Sequence, residues 1–175
     1  MTTGIPTEYN YRRFRSRLEA RWARMFDLLG WPYEYEPYDL NGWIPDFVLL
    51  GHEEILVEVK PFHRLEQFDT EKVIRAAAGT DKQGLEVLLL GFTLPRTEEG
   101  DLAVGWLGEA YDTGYWFEPA PFCGTDQSFD FAHPYGSYRL RMSGFYDGSL
   151  SVLRHTPEVQ RLWSSAGNAV QWRRA

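Results

Sequence analysis

Two carboxylates and one ammonium stand at spacings that bring them to one place. Asp46, preceded by Pro45, opens the apolar run Phe47-Val48-Leu49-Leu50, and Glu58 and Lys60 close the run Ile55-Leu56-Val57-Glu58-Val59-Lys60. Side chains alternate along a strand, so Glu58 and Lys60 share a face. The segment 51–54 is short enough to join the two runs as a hairpin, which sets Asp46 beside Glu58. Adjacent carboxylates repel each other and are stable mainly with a hard cation between them. An ammonium beside that cation can hold a water or stabilise the charge that develops on a phosphoryl group. Together these groups are equipped for metal-assisted phosphodiester hydrolysis. The plainer alternative is a hairpin whose polar face simply meets water. Glu58 argues against it, because it interrupts an otherwise apolar run.

The elements that must position these groups can be read in outline. From 11 to 29, Tyr11, Phe14, Leu18, Trp22, Met25 and Leu29 recur every three or four residues and predict one amphipathic helix ending near Gly30. Glu19 lies about 80° from the centre of that apolar stripe, so its carboxylate borders whatever lies beneath the helix. The alternative partner for Glu19 is Arg15, one turn away, in an ion pair worth about 0.3 kcal/mol. A strand over 33–37 and a turn over 39–42 precede the hairpin, and Pro61 ends its second strand. A helix is predicted between Arg64 and Ala78, capped by Asp69 or Thr70 and stopped by Gly79. Val87-Leu88-Leu89-Leu90, within 86–92, reads as a central strand buried on both faces. The order α-β-β-β-α-β predicts an α/β core, a mixed β-sheet with helices on both sides.

A net charge of −7 over 175 residues argues against a general nucleic-acid binder. The distribution says more than the total. Between Tyr11 and Arg24 six arginines face a single acid, Glu19. That segment can grip phosphates, with Tyr9 and Tyr11 beside it to stack or pack, or it can be a solvated helix face. Helix phase puts Arg12 and Arg15 on the Glu19 side and Arg13, Arg17 and Arg24 away from it. No apolar stretch is long enough to span a membrane, and the N-terminus lacks the apolar core of a secretory signal. The single Cys123 excludes an internal disulfide. These features predict a cytoplasmic protein without a membrane partner. There is no Walker loop, dinucleotide fingerprint or His-Glu-x-x-His motif.

Arg15-Ser16-Arg17-Leu18-Glu19 on a helix, Pro45-Asp46 on a strand and Glu58-Val59-Lys60-Pro61 on the next resemble the PD-(D/E)xK nuclease superfamily. The order of these motifs is most similar to the Holliday-junction resolvase and transposon end-cleaving endonuclease branches, and the likeness covers residues 9–95. It implies a restriction-endonuclease-like core and a DNA endonuclease dependent on Mg2+ or Mn2+, from a phage or mobile element. Asp46, Glu58 and the Val59 carbonyl would hold the metal, Lys60 would be catalytic, and Glu19 would be a further metal-site acid. The helix after the Glu-x-Lys strand would pack near the site, so Lys72 joins Tyr11, Arg12 and Arg15 as an expected DNA contact. Members often dimerise to cut both strands, which implies a homodimer. A non-catalytic nucleic-acid- or protein-binding module of the same fold and an RNA-directed nuclease are the alternatives.

Residues 1–8 read as a flexible arm, 9–95 as the nuclease core and 96–175 as an extension packed on it. In the extension, 102–107 reads as a strand, 111–148 is rich in aromatic residues, Gly and Pro, and Thr156-Pro157 opens a C-terminal amphipathic helix ending in Arg173 and Arg174. Cys123-Gly124 and 143–148 resemble the knuckles of a zinc ribbon. Only one thiol is present, with His133 the nearby imidazole, whereas a structural zinc takes about four ligands. No zinc is expected, only a degenerate ribbon held by aromatic packing. Tyr115, Trp116 and Phe117 read as core rather than as a base-stacking platform.

Overall fold

The structure, a computed structural model, describes residues 4–78, 85–111, 114–125, 128–133, 139–146 and 156–171. It opens with a two-stranded antiparallel ribbon, β1 (Thr7–Tyr9) and β2 (Arg12–Phe14). Asn10 and Tyr11 make its turn with φ of 49° and 60°, the left-handed pair that suits the twist of a two-residue hairpin. Residues 7 and 8, expected in a flexible arm, are therefore paired. The helix predicted over 11–29 begins only at Arg17, as α1 (Arg17–Leu29). Ser16 explains the late start: its backbone is extended, and its hydroxyl accepts the Glu19 N–H at 3.1 Å as an N-cap. Phe14 still reaches the core, from a strand instead of a helix. Gly30 closes α1 with φ of 74°, a left-handed cap that costs glycine little.

The main sheet runs in strict chain order: β3 (Tyr33–Tyr35), β4 (Phe47–Leu50), β5 (Glu54–Val59), β6 (Glu86–Leu90), β7 (Ala103–Tyr111), β8 (Gly114–Thr125) and β9 (Ser128–Phe131). All neighbours are antiparallel except β5 and β6, which are parallel. Parallel strands need a crossover. Here it carries a 3-10 turn, Leu65–Gln67, and α2 (Glu71–Ala78). The single helix expected over 64–78 is thus two pieces, and Asp69 accepts the Glu71 N–H at 3.1 Å between them. Gly79, Arg173 and Arg174 lie outside the described residues. The chain returns over the sheet as α3 (Thr156–Ala169). The protein is mixed α/β: a seven-stranded mixed sheet flanked by helices. The strands of the 96–175 segment carry this sheet onward from β6.

Strand alternation sorts the apolar residues into two cores. Ile55, Val57 and Val59 of β5 join Leu88 and Leu90 of β6 on the face that α1 and α3 cover, with Trp22, Phe26, Val159 and Ala166. Leu56, Val87 and Leu89 join Val73 and Ala76 of α2 on the other. β6 is buried on both faces, as its unbroken apolar run predicts. Tyr115 and Phe117 pack against the α2-side core, whereas Trp116 between them is exposed, because successive strand residues face opposite ways. Among the described residues no helix is long and apolar enough to cross a membrane.

Candidate active site

The alternation that sends Leu56 to the α2 face sends Glu58 there too. Asp46 immediately precedes β4 and has the parity of Val48, on the same face. The register Phe47↔Val57 sets Asp46 beside Glu58. Both carboxylates are buried, with side-chain exposures of 0% and 9%. Lys60 lies just past β5, fixed by its N–H to the Leu90 carbonyl at 3.0 Å. Its ammonium is 2.6 Å from Glu58 Oε1, 3.2 Å from Asp46 Oδ2 and 3.2 Å from the Val59 carbonyl oxygen. One cation therefore sits among three oxygens, and the two carboxylates face each other across it at no more than about 6 Å, a span that one ion can bridge. Three of the four sequence-predicted metal-site residues, Asp46, Glu58 and Val59, converge with Lys60.

The remaining carboxylate oxygens are also occupied. Asp46 Oδ2 accepts the Val59 N–H at 2.7 Å, and Asp46 Oδ1 accepts from Arg15 Nη2 at 2.5 Å. Glu58 Oε2 accepts from the indole Nε1 of buried Trp43 at 2.8 Å. Arg15 also pairs through Nε with Glu36 at 2.8 Å. Glu36 has φ of 46°, a left-handed conformation that costs a non-glycine residue about 1 kcal/mol. It follows β3 at the point where its N–H meets the Asp46 carbonyl.

Burial pushes the Glu58 carboxyl above the ordinary glutamate range, and the Asp46 charge adds to it; Lys60 and Trp43 offset only part. Lys60 is pulled down by burial, but the charges of Asp46 and Glu58 outweigh that and hold it above the ordinary lysine range. The Lys60 ammonium thus favours the charged form of Glu58 and Glu58 that of Lys60, each working against burial.

Glu19 stands apart from this group. Its carboxylate accepts from the Ser16 hydroxyl at 2.8 Å, the Tyr35 hydroxyl at 2.6 Å and the Arg15 backbone N–H at 3.2 Å. Among the described residues no three His, Cys, Asp or Glu side chains gather as they would around one ion, and the Glu19 carboxylate is engaged at the start of α1. The alternative ion pair between Glu19 and Arg15 does not form, since the guanidinium turns to Asp46 and Glu36. Tyr35, squeezed by burial and by Glu19, has its hydroxyl pushed well above the ordinary tyrosine range, so it stays a donor. Ser16-x-x-Glu19 is the spacing of a capping box, a sequence signal that would have assigned Glu19 to the helix end.

Of the expected DNA contacts, Arg12 and Tyr11 lie on the β1–β2 ribbon, so a helical phase does not describe them. Tyr11 is fully exposed at the turn, and the Arg12 guanidinium lies 6.0 Å from the Tyr35 ring. Lys72 lines a cavity of about 560 Å3 with Asn41, Trp43 and Arg75. Trp43 joins that cavity to the acid pair through its bond to Glu58. Trp43 went unread in the sequence because it lies in a segment without periodicity, and Glu36 because strand alternation over 33–37 does not reveal its left-handed backbone or its pairing with Arg15. Cys123 and His133 are both buried. The segment expected as a degenerate ribbon is tied down by buried Asp130, whose carboxylate accepts the N–H groups of Met142 and Ser143 at 2.8 and 2.9 Å. Comparison with protein-family models, curated proteins and solved structures gives no match for this chain.

Proposed function

We propose that this protein is a Mg2+-dependent DNA endonuclease built on a restriction-endonuclease-like core. The observation that carries the reading is the set of three oxygens, from Asp46, Glu58 and the Val59 carbonyl, gathered around the one ammonium of Lys60. Such an all-oxygen set with two carboxylates suits a hard divalent cation, whereas zinc favours imidazole and thiolate. Asp46, Glu58 and the Val59 carbonyl would hold the ion, which supplies Lewis-acid polarisation of the scissile phosphate and a more acidic water. Lys60 has an exposed side to move toward, since its side chain is 45% exposed. There it holds the attacking water and stabilises the charge on the phosphoryl oxygens. Arg15 is more exposed still and carries a planar fork suited to phosphate, so it transfers from Asp46 to the substrate backbone. Trp43 holds the Glu58 carboxylate in one orientation.

The test is cleavage of supercoiled, linear, branched and single-stranded DNA, and of RNA, with Mg2+ or Mn2+. DNA cleavage that falls by about 10²-fold in Lys60→Ala supports the reading. Equal cleavage by both proteins would overturn it. Cleavage confined to RNA would move the activity to ribonucleic acid.

A second reading rests on the same contacts. Arg15 and Lys60 already neutralise Asp46 and Glu58, which a non-catalytic nucleic-acid-binding module would also achieve. Calorimetry separates the two, because a binding module takes up no Mg2+ at this site.

A further inference from the structure

We propose that the groove between α1 and α3 is a second phosphate subsite, holding the nucleic-acid strand as it leaves the acid cluster. The identity of the ligand rests on the nuclease reading. Arg17 and Arg21, one turn apart on α1, line a groove of about 440 Å3 with Ser164, Asn168 and Gln171 opposite and Phe92 at one end. The Arg21 guanidinium lies 3.6 Å from the centre of the Trp163 ring and donates through Nη2 to the Trp163 carbonyl at 2.9 Å. Its Nε is buried without a hydrogen-bond partner. Among the described residues no carboxylate pairs with Arg17 or Arg21. A half-buried cation without a counter-charge is unfavourable until an anion arrives.

The opposite wall makes room for this cation. A Cβ on Gly167 would lie 3.1 Å from both Cζ and Nε of Arg21. Glycine inside a helix costs about 1 kcal/mol relative to alanine, and the space it leaves is taken by the guanidinium. Stacking, the carbonyl bond and the glycine together hold a flat, fork-shaped donor at the wall of the groove. That is the geometry in which arginine recognises phosphate.

The groove lies on the α1 and α3 face of the sheet and the acid cluster on the α2 face, and two chain segments link them around one end of the sheet. Arg15 contacts Asp46, and Arg17 follows through the extended Ser16, a reach of about 7 Å for two residues. On the other side Phe92 donates its N–H to the Phe62 carbonyl, two residues beyond Lys60. Phe92 is also exposed, beside His63, and offers a ring on which a base can stack. A strand whose phosphate lies at Lys60 would pass around this end of the sheet to reach Arg17 and Arg21.

The test is fluorescence anisotropy of the full chain with short labelled single-stranded and duplex DNA, over a salt titration, with Ca2+ replacing Mg2+. Arg17→Gln and Asn168→Asp alter exposed positions, and Arg21→Gln removes the stacked cation. With two phosphates engaged, the double variant Arg17→Gln/Arg21→Gln should lower the salt slope by about 0.7 to 0.9 per lost contact and weaken binding about tenfold. Asn168→Asp, which adds a negative charge beside Arg21, should also weaken binding. Unchanged affinity and slope in variants with wild-type melting temperature would make Arg21 a fastener between helices and overturn the subsite. Mg2+ cleavage assays on the same proteins report on the parent reading separately. Slope loss without wild-type cleavage retains the subsite and removes the nuclease, whereas cleavage with an unchanged slope does the reverse. Wild-type protein that binds no nucleic acid overturns the subsite.

Discussion

Removing the Lys60 ammonium would leave Asp46 and Glu58 facing each other with Arg15, the Val59 N–H and Trp43 as the remaining donors. Lys60→Met should therefore destabilise the protein in EDTA, by about 1–2 kcal/mol once the exposure of Lys60 is allowed for. Mg2+ should restore more stability to this variant than to wild type, because the ion takes the place of the lost charge. Thermal melts with and without Mg2+ check this, and equal responses would remove the ion from Asp46 and Glu58. Glu58 gives a pH prediction. Its folded carboxyl is raised above the ordinary value of 4.5. Between the unfolded and folded values the native state binds more protons, so stability falls as pH rises through that window. Glu58→Gln should flatten the fall, which urea midpoints measured against pH in EDTA would show. These residues were legible because strand alternation and a hairpin fix Asp46, Glu58 and Lys60 by parity alone. Trp43 reaches the site from non-periodic backbone, which parity does not describe, and Arg15 from the extended segment before α1, which the helical stripe over 11–29 misplaced.

At the scale of elements, α1 shows where periodicity misleads. Phe14 keeps the helical spacing with Leu18 but enters the core from β2, so the apolar stripe extended the helix too far. The polar signal was the better guide, since Ser16 and Glu19 fix the helix start by hydrogen bonds. Ser16→Ala should cost about 1 kcal/mol through the lost cap. It also frees Glu19 from one of its partners and loosens the Arg15 backbone that Glu19 holds. DNA affinity in Ser16→Ala should consequently fall, while Ser16→Asp, which restores a cap acceptor, should recover helix stability. Denaturant unfolding and anisotropy on the two variants distinguish the contributions. The β5–α2–β6 crossover was readable because the two apolar strand runs flank a helical pattern. Its division into a 3-10 turn and α2 was not, because Phe68-Asp69 departs from helical geometry for tertiary reasons: the Phe68 ring packs on Phe62.

For the whole molecule, burial predicts a gradient of stability. β5 and β6 lie mid-sheet between two cores, whereas the β1–β2 ribbon is thin and largely exposed. Native-state hydrogen exchange should find the slowest amides in β5 and β6 and the fastest in the ribbon. Comparable protection in both would mean that the ribbon is held by contacts beyond those described. The mixed α/β class was legible from the alternation of strand-like and helix-like runs. The continuation of one sheet through β7, β8 and β9 was less so, because the Gly- and Pro-rich composition there hides strand length. That sheet is laid down in strict chain order, and this bears on how the protein is made. Each strand's partner is the one synthesised just before it, so pairing can advance as the chain leaves the ribosome, with the β5–β6 crossover the longest gap in the sheet. The exception is α3, which must return to α1. At ordinary elongation rates the roughly 110 residues between Lys60 and the end of α3 take on the order of ten seconds. The acid cluster can therefore be in place on the nascent chain before the Arg21 groove exists, and that groove forms only once α3 docks on α1.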